Sequence, residues 1–216
     1  MKLKNILVVC GVCLAVWWVG YYALLRPWFL HWGASPDEVG MTLPGDEINP
    51  GVHDGATRAI TIHAPAAQVW PWLVQLGQGR GGLYSYEDLE NLFGCQMHNV
   101  ESILPELQDL AVGDVVRLGP AEGFTEQLPF YTVVDLQPGR ALVLRATDPL
   151  SGELLDGVWA FILLPAEDGS TRLVIRSRNA AVEPPAEAVI NRMVEPVHFL
   201  MEHKMMDTLR RLAEGA

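Results

Sequence analysis

The chain has 216 residues, half of them hydrophobic, and a formal net charge of −11. That length fits one domain, or one domain plus a short appendage. The first 26 residues hold Lys2, Lys4 and Arg26 and no acid, so the rest of the chain carries about −14. A domain that acidic excludes nucleic acid as a partner, because neutralisation of phosphates by Lys and Arg supplies most of that affinity. It should also avoid anionic headgroups except beside its N-terminus.

Residues 6 to 25 run without a charge, and twenty residues at the helical rise cover roughly the 30 Å of a bilayer core. A cleaved signal peptide has an apolar region of only about 7 to 15 residues and ends in small residues at the cut. Here the run ends in Tyr21, Tyr22, Ala23, Leu24, Leu25 and Arg26 instead. Val9 before Cys10 and Val12 before Cys13 do not suit a lipoprotein signal. Residues 1–26 therefore read as a single transmembrane anchor. Trp17, Trp18, Tyr21 and Tyr22, then Trp28, Phe29 and Trp32, are the amphipathic rings that favour the headgroup level. Two lysines and the free amine precede the run against Arg26 after it. The positive-inside rule then places the N-terminus in the cytoplasm and the domain outside it. Cys10 and Cys13 lie inside the apolar run as small apolar side chains. Cys95 is alone in the globular part, which precludes an internal disulfide or a cysteine zinc site there.

Residues 27–55 form a connector; from Trp32 to Asp54 it is rich in Pro, Gly and acid, has neither helical nor strand period, and wraps the domain. The domain itself occupies residues 56–216. Thr57 to His63 alternates as a strand. Pro65 suits the first turn of a helix whose stripe is Ala66, Val69, Trp70, Leu73 and Leu76, ending near Gly77 and shortened or bent by Pro71. Ser85 and Asp88 at capping-box spacing open a second helix that closes at Gly94. Strands follow at Asp114 to Leu118, Phe130 to Leu136, Ala141 to Thr147, Gly157 to Leu164 and Thr171 to Arg178. Turn residues at 137–140 and 166–170 make hairpins, hence an antiparallel sheet. From Pro185 the chain is helical to its end, with an apolar stripe that includes Met193, Val197, Met201, Met205 and Leu209, and a kink at Pro196. The class is α+β: a curved antiparallel sheet closing on a long C-terminal helix, preceded by one transmembrane helix. The gap between sheet and helix is the place for a ligand.

This order resembles the START-like superfamily, also called SRPBCC or helix-grip, and within it the polyketide cyclase/dehydrase-like branch. Three segments carry the resemblance: residues 57–73, from Thr57 through His63-Ala-Pro to Val69-Trp-Pro-Trp-Leu73; Gly157-Val-Trp-Ala-Phe161; and Thr171-Arg-Leu-Val-Ile-Arg-Ser-Arg178. The loop from Gly77 to Glu87 and the stretch from Glu195 to Glu202 also look like an often membrane-anchored subgroup. The resemblance implies a deep apolar cavity for lipids, polyketides, sterols or quinones. Some members catalyse cyclisation or hydration and many only bind; no catalytic set maps onto this sequence.

Gly77, Gly79 and Gly82 formally match the dinucleotide fingerprint, but that motif needs a strand before it and a helix after. Here a helix precedes, so the glycines mark a flexible turn at the cavity mouth, with Arg80 solvated or meeting an anionic ligand group. Glu195, His198 and Glu202 share one helix face, with His203 adjacent. A fourth metal ligand is missing, and a solvated or salt-bridged stripe is the simpler account. His53 and His98 are isolated. No metal and no cofactor is expected.

The expected cavity residues are Trp70, Leu73, Tyr84, Tyr86, Arg117, Trp159, Phe161, Met193, Val197 and Met201. The methionines suit a wall that adapts to varied guests. The expected role is binding of an apolar small molecule or lipid beside the bilayer. A cyclase or hydratase using Tyr84, Tyr86, Arg117 or His198 needs two of these within reach of one guest atom. The third reading is a non-catalytic membrane assembly partner, marked by a large exposed apolar patch. Nothing in the sequence singles out a protein partner.

Overall fold

The computed structural model describes residues 11–13, 16, 18–50, 55–123, 126, 129–179 and 185–215, with side chains of the last helix from residue 192 on. Six strands form one antiparallel sheet in the order β1-β6-β5-β4-β3-β2. They are β1 Gly55–Ile62, β2 Val115–Val116, β3 Phe130–Gln137, β4 Ala141–Thr147, β5 Leu154–Pro165 and β6 Thr171–Arg178. Tight hairpins join β3 to β4 and β5 to β6. Gly139 at φ +70° turns the first of them, and the Ala166 amide bonds the Ser170 carbonyl in the second. β1 and β2 lie on opposite edges. The chain between them must therefore cross the sheet, and it carries two short helices, α3 Ala66–Val74 and α4 Glu87–Leu92. The last helix, α5 Pro185–Ala213, lies over the same face. A six-stranded antiparallel sheet gripping a long C-terminal helix fits the helix-grip arrangement.

Both faces of the sheet are apolar, because β5 is apolar at both parities. Phe161 and Leu163 face inward with Ile60 and Ile62 of β1 and Leu173 and Ile175 of β6. Val69 and Leu73 of α3 and Met205, Met206 and Leu209 of α5 close this layer. Each such side chain, fully buried, stabilises the fold by about 1.5–3 kcal/mol. The opposite parity, Val158, Ala160, Ile162 and Val174, faces outward and would be wet without a cover.

The connector is that cover. Leu43, with Ala34 and Ile48, packs on the outward face, and a short helix, α2 Pro36–Gly40, opens with a Ser35/Glu38 capping box. Arginines at alternate positions of β6 hold the connector down. Arg172 bonds Glu38 and the Gly33 carbonyl, while Arg176 bonds Asp46 at 2.6 Å and the carbonyls of Glu38, Val39 and Met41. Arg178 Nε reaches the other oxygen of Asp46 at 2.7 Å.

Half of the expected anchor, residues 1–10, 14, 15 and 17, lies outside the described residues. Among the described residues no helix is long and apolar enough to cross a membrane. At the junction with the connector a π-helical turn, Tyr21–Leu25, leads into α1, Arg26–Leu30. α1 docks on α5. Arg26 makes a two-pronged ion pair with Glu195, both bonds 2.9 Å, and Phe199 stacks among Trp28, Phe29 and Trp32.

Candidate functional site

A cavity of about 430 Å³ opens where α4 and the N-terminal half of α5 stand off the sheet. Its floor is β1, β5 and β6, through Ala56, Arg58, Gly157, Trp159 and Ser177. One wall is α5, with Val197, His198, Met201, Glu202 and Met205. The facing wall is α4 with its flanks, presenting Leu83, Ser85, Leu89, Glu90, Phe93 and Cys95. Leu118 and Tyr131 close one end, and Leu30 of α1 also contributes.

The apolar stripe of α5 explains why space remains. Its C-terminal half, Met205, Met206 and Leu209, is buried at 3 %, 0 % and 0 % exposure. Its N-terminal half is not: Met193, Val197 and Leu200 are 71 %, 45 % and 45 % exposed. The helix thus closes the core at one end and borders an open apolar mouth at the other, where Phe93 of the facing wall is also exposed.

Two polar features interrupt this apolar lining. Arg58 shares the parity of Ile60 and Ile62 and so points inward, where it meets Glu202 at 2.5 Å and donates to the Phe29 carbonyl at 2.7 Å. The second oxygen of Glu202 accepts from Trp159 Nε1 at 2.9 Å. Floor, helix and N-terminal segment are thereby tied by one buried ion pair. Burial, with the Glu202 charge beside it, pushes the Tyr131 hydroxyl up to about 12. Burial and the nearby Arg58 charge hold His198 below the usual imidazole range, with Glu202 opposing.

Glu90 is the second feature. Only 7 % exposed, it is pushed from 4.5 up to about 7, first by burial and then by the neighbouring Glu87 charge, with the Ser85 hydroxyl opposing. Because the folded value lies above the unfolded one, the cost of ionising Glu90 appears as pH rises from 4.5 toward 7. Glu90→Gln should therefore raise the unfolding midpoint at pH about 8, by roughly 2 kcal/mol of stability, and leave it little changed at pH about 4. Thermal melts at the two pH values check this, and an equal effect at both would contradict it.

Of the residues expected to line the cavity, Trp159, Val197 and Met201 do so. Leu73 and Phe161 are fully buried in the packed layer beside it, and Trp70 packs against that layer. Tyr84 is also fully buried, its hydroxyl accepting from Gln75 Nε2 at 2.7 Å, and it borders a separate pocket of about 250 Å³ between α5 and the loop at 99–101. Tyr86 is exposed under Lys204, Arg117 lies over the Phe130 ring, and Met193 is exposed. Of Tyr84, Tyr86, Arg117 and His198, only His198 faces the cavity, so no two of them converge there.

The glycine turn is built differently from its expected form. Gly77 and Gly82 form an antiparallel bridge at φ +124° and +86°. A side chain at Gly81 would collide with Tyr84 and Gln75. Arg80 donates to the carbonyls of Val74 and Leu107, and the turn does not line the cavity. The second helix also starts one residue later than its capping box suggests: Tyr86 is the N-cap and no side chain caps it, while Ser85 Oγ contacts Met201 Sδ at 3.5 Å. The carboxylates of the Glu195, His198, Glu202 stripe are taken by arginines, Glu195 by Arg26 and Arg192 and Glu202 by Arg58.

Sequence reasoning overlooked Glu90 and Arg58. Strict alternation along β1 was a signal for Arg58. Glu90 had none, since it sits among acids on a six-residue helix whose buried side only packing defines.

No family model and no curated protein matches the chain. Solved structures resemble it loosely. DynU16, a protein of the dynemicin biosynthetic locus, is 15 % identical with a TM-score of 0.41, over 75 % of this chain and 48 % of that one. The chain thus spans about half the length of DynU16. The Aha1 dimer from Colwellia psychrerythraea is 15 % identical with a TM-score of 0.39, over 69 % of this chain and 92 % of that one. An HSP90 activator from Plasmodium falciparum is 11 % identical with a TM-score of 0.41, over 71 % and 95 %. Likenesses this loose say nothing of ligand or activity.

Proposed function

We propose that the domain binds a hydrophobic small molecule or lipid in the cavity between its sheet and α5, held beside a bilayer by the N-terminal segment. One observation carries this reading. A recess of about 430 Å³, open at one end, lies between sheet and helix and is lined chiefly by apolar side chains. Its volume falls within the range of ligand pockets, roughly 300 to 1,000 Å³.

The membrane part rests on the N-terminal segment. Val12, Val16, Val19, Leu24, Leu25 and Trp28 are each more than half exposed. Exposed apolar side chains of this kind need a cover, and the uncharged run 6–25, to which all of them but Trp28 belong, is long enough to place them in lipid. The N-terminus would then be cytoplasmic and the domain extracytoplasmic. Tethering raises the effective concentration of the domain where its guests are dissolved.

Native mass spectrometry of the full-length protein released from detergent should show a retained apolar molecule. Met201→Trp, which fills the cavity from the α5 wall, should abolish that retention while the melting temperature stays within a few degrees of wild type. Wild type free of any guest, and unable to take one when a lipid extract is added, would sink the proposal.

A further inference from the structure

Glu90 poses a problem that the apolar cavity alone does not answer. Its side chain lines the cavity, it is 93 % buried, and its Oε2 has no hydrogen-bond partner. Buried polar atoms are paired in the great majority of cases, so an orphan on a side chain that lines a cavity points to a missing partner.

The surrounding groups cannot supply that partner. On its own helix Glu87 repels it, and from the flanking loops come only the Ser85 hydroxyl and the Cys95 thiol, itself raised by burial and by Glu90. The cations that share the cavity are committed: Arg58 to Glu202 and the Phe29 carbonyl, Arg178 to Asp46 and the Asn49 carbonyl. From α5 the cavity receives Glu195 and Glu202, both ion-paired, and His198, whose pKa is lowered. Tyr131 faces it from β3 as a neutral phenol. With no spare cation among the described residues of the cavity, Glu90 is best satisfied as the neutral acid, whose O–H needs an acceptor oxygen.

We infer that Glu90 is the polar anchor of the guest, hydrogen-bonding one neutral oxygen, a carbonyl or hydroxyl, of an otherwise apolar molecule. This deepens the ligand-binding reading and rests on it. A fatty acid anion is disfavoured, since it would bring a carboxylate to the acidic groups of both walls. A carbonyl is the most diagnostic partner, because it accepts a hydrogen bond from the protonated acid and gains nothing from the carboxylate.

The test is displacement of Nile red from the full-length protein by 2-tridecanone or by tridecane. One fixed detergent concentration makes partition into micelles common to every variant. Wild type should bind the ketone roughly fivefold more tightly at pH about 5.5 than at about 8.5, the range expected for one hydrogen bond gained or lost. Tridecane should bind equally at both. Glu90→Gln keeps a donor at every pH, so its ketone affinity should stay high and flat. Glu90→Leu should weaken the ketone roughly fivefold at the lower pH and leave tridecane unchanged or tighter. If Glu90→Leu does not fold, the Glu90→Gln pH profile decides by itself. A pH-independent ketone affinity in wild type, or one unaltered in Glu90→Leu, overturns the assignment and leaves the apolar cavity standing. Failure of both probes to displace dye from wild type at either pH overturns the ligand-binding reading as well.

Discussion

Glu202→Ala is expected to cost about 3–5 kcal/mol of folding stability, because it strands a buried cation. Arg58 is only 4 % exposed in its side chain and Glu202 10 %, so water reaches the pair poorly although both line the cavity. The same change removes the acceptor of Trp159 Nε1 and loosens α5 from the cavity floor. Urea unfolding measures the loss. The double variant Arg58→Met/Glu202→Leu should recover most of it, since an apolar pair of similar volume removes the desolvation problem along with the attraction. A loss under about 1 kcal/mol for Glu202→Ala would mean that the pair is solvated, like surface ion pairs.

Asp46→Ala should cost somewhat less, about 2–4 kcal/mol, through the opposite face of the sheet. Asp46 accepts from Arg176, Arg178 and the Leu43 amide, at 2.6, 2.7 and 3.0 Å. Arg176 keeps carbonyl partners in Glu38, Val39 and Met41, which is why the loss falls below that at Glu202. The local effect is larger than the global one. Without the clasp, residues 41–48 should lift from Val143, Val158 and Ala160, so limited proteolysis should cut the connector well before the domain core. Asp46→Asn, which keeps an acceptor, should be cut more slowly. Identical cleavage in wild type and Asp46→Ala would show that Leu43 and its apolar neighbours alone hold the connector.

Much of the layout was legible in the residues, for reasons that are local. Alternation marks β1 and β6, turn residues at 137–140 and 166–170 force hairpins, and Pro65 starts α3 just after β1. Even the need for a second cover was visible, since Val158, Ala160 and Ile162 are apolar on the parity opposite Trp159 and Phe161. The site was less legible. A stripe along α5 announces an apolar face but not how much of it is covered. Expectation therefore treated Met193 and Met205 alike, although one is 71 % exposed and the other 3 %. Leu73 and Phe161 have the chemistry of a cavity wall and instead fill the solid layer beside it.

By itself, then, the sequence determined the α+β order, the antiparallel pairing and the two-sided hydrophobicity of the sheet, because these follow from periods of two and about 3.6 and from turn chemistry. Only the tertiary structure decided that Asp46 and Glu38 meet three arginines of β6, that Glu90 turns into the protein, and that α5 leaves a gap at one end. Those outcomes depend on how far one element stands from another, a distance that no residue pattern along the chain encodes.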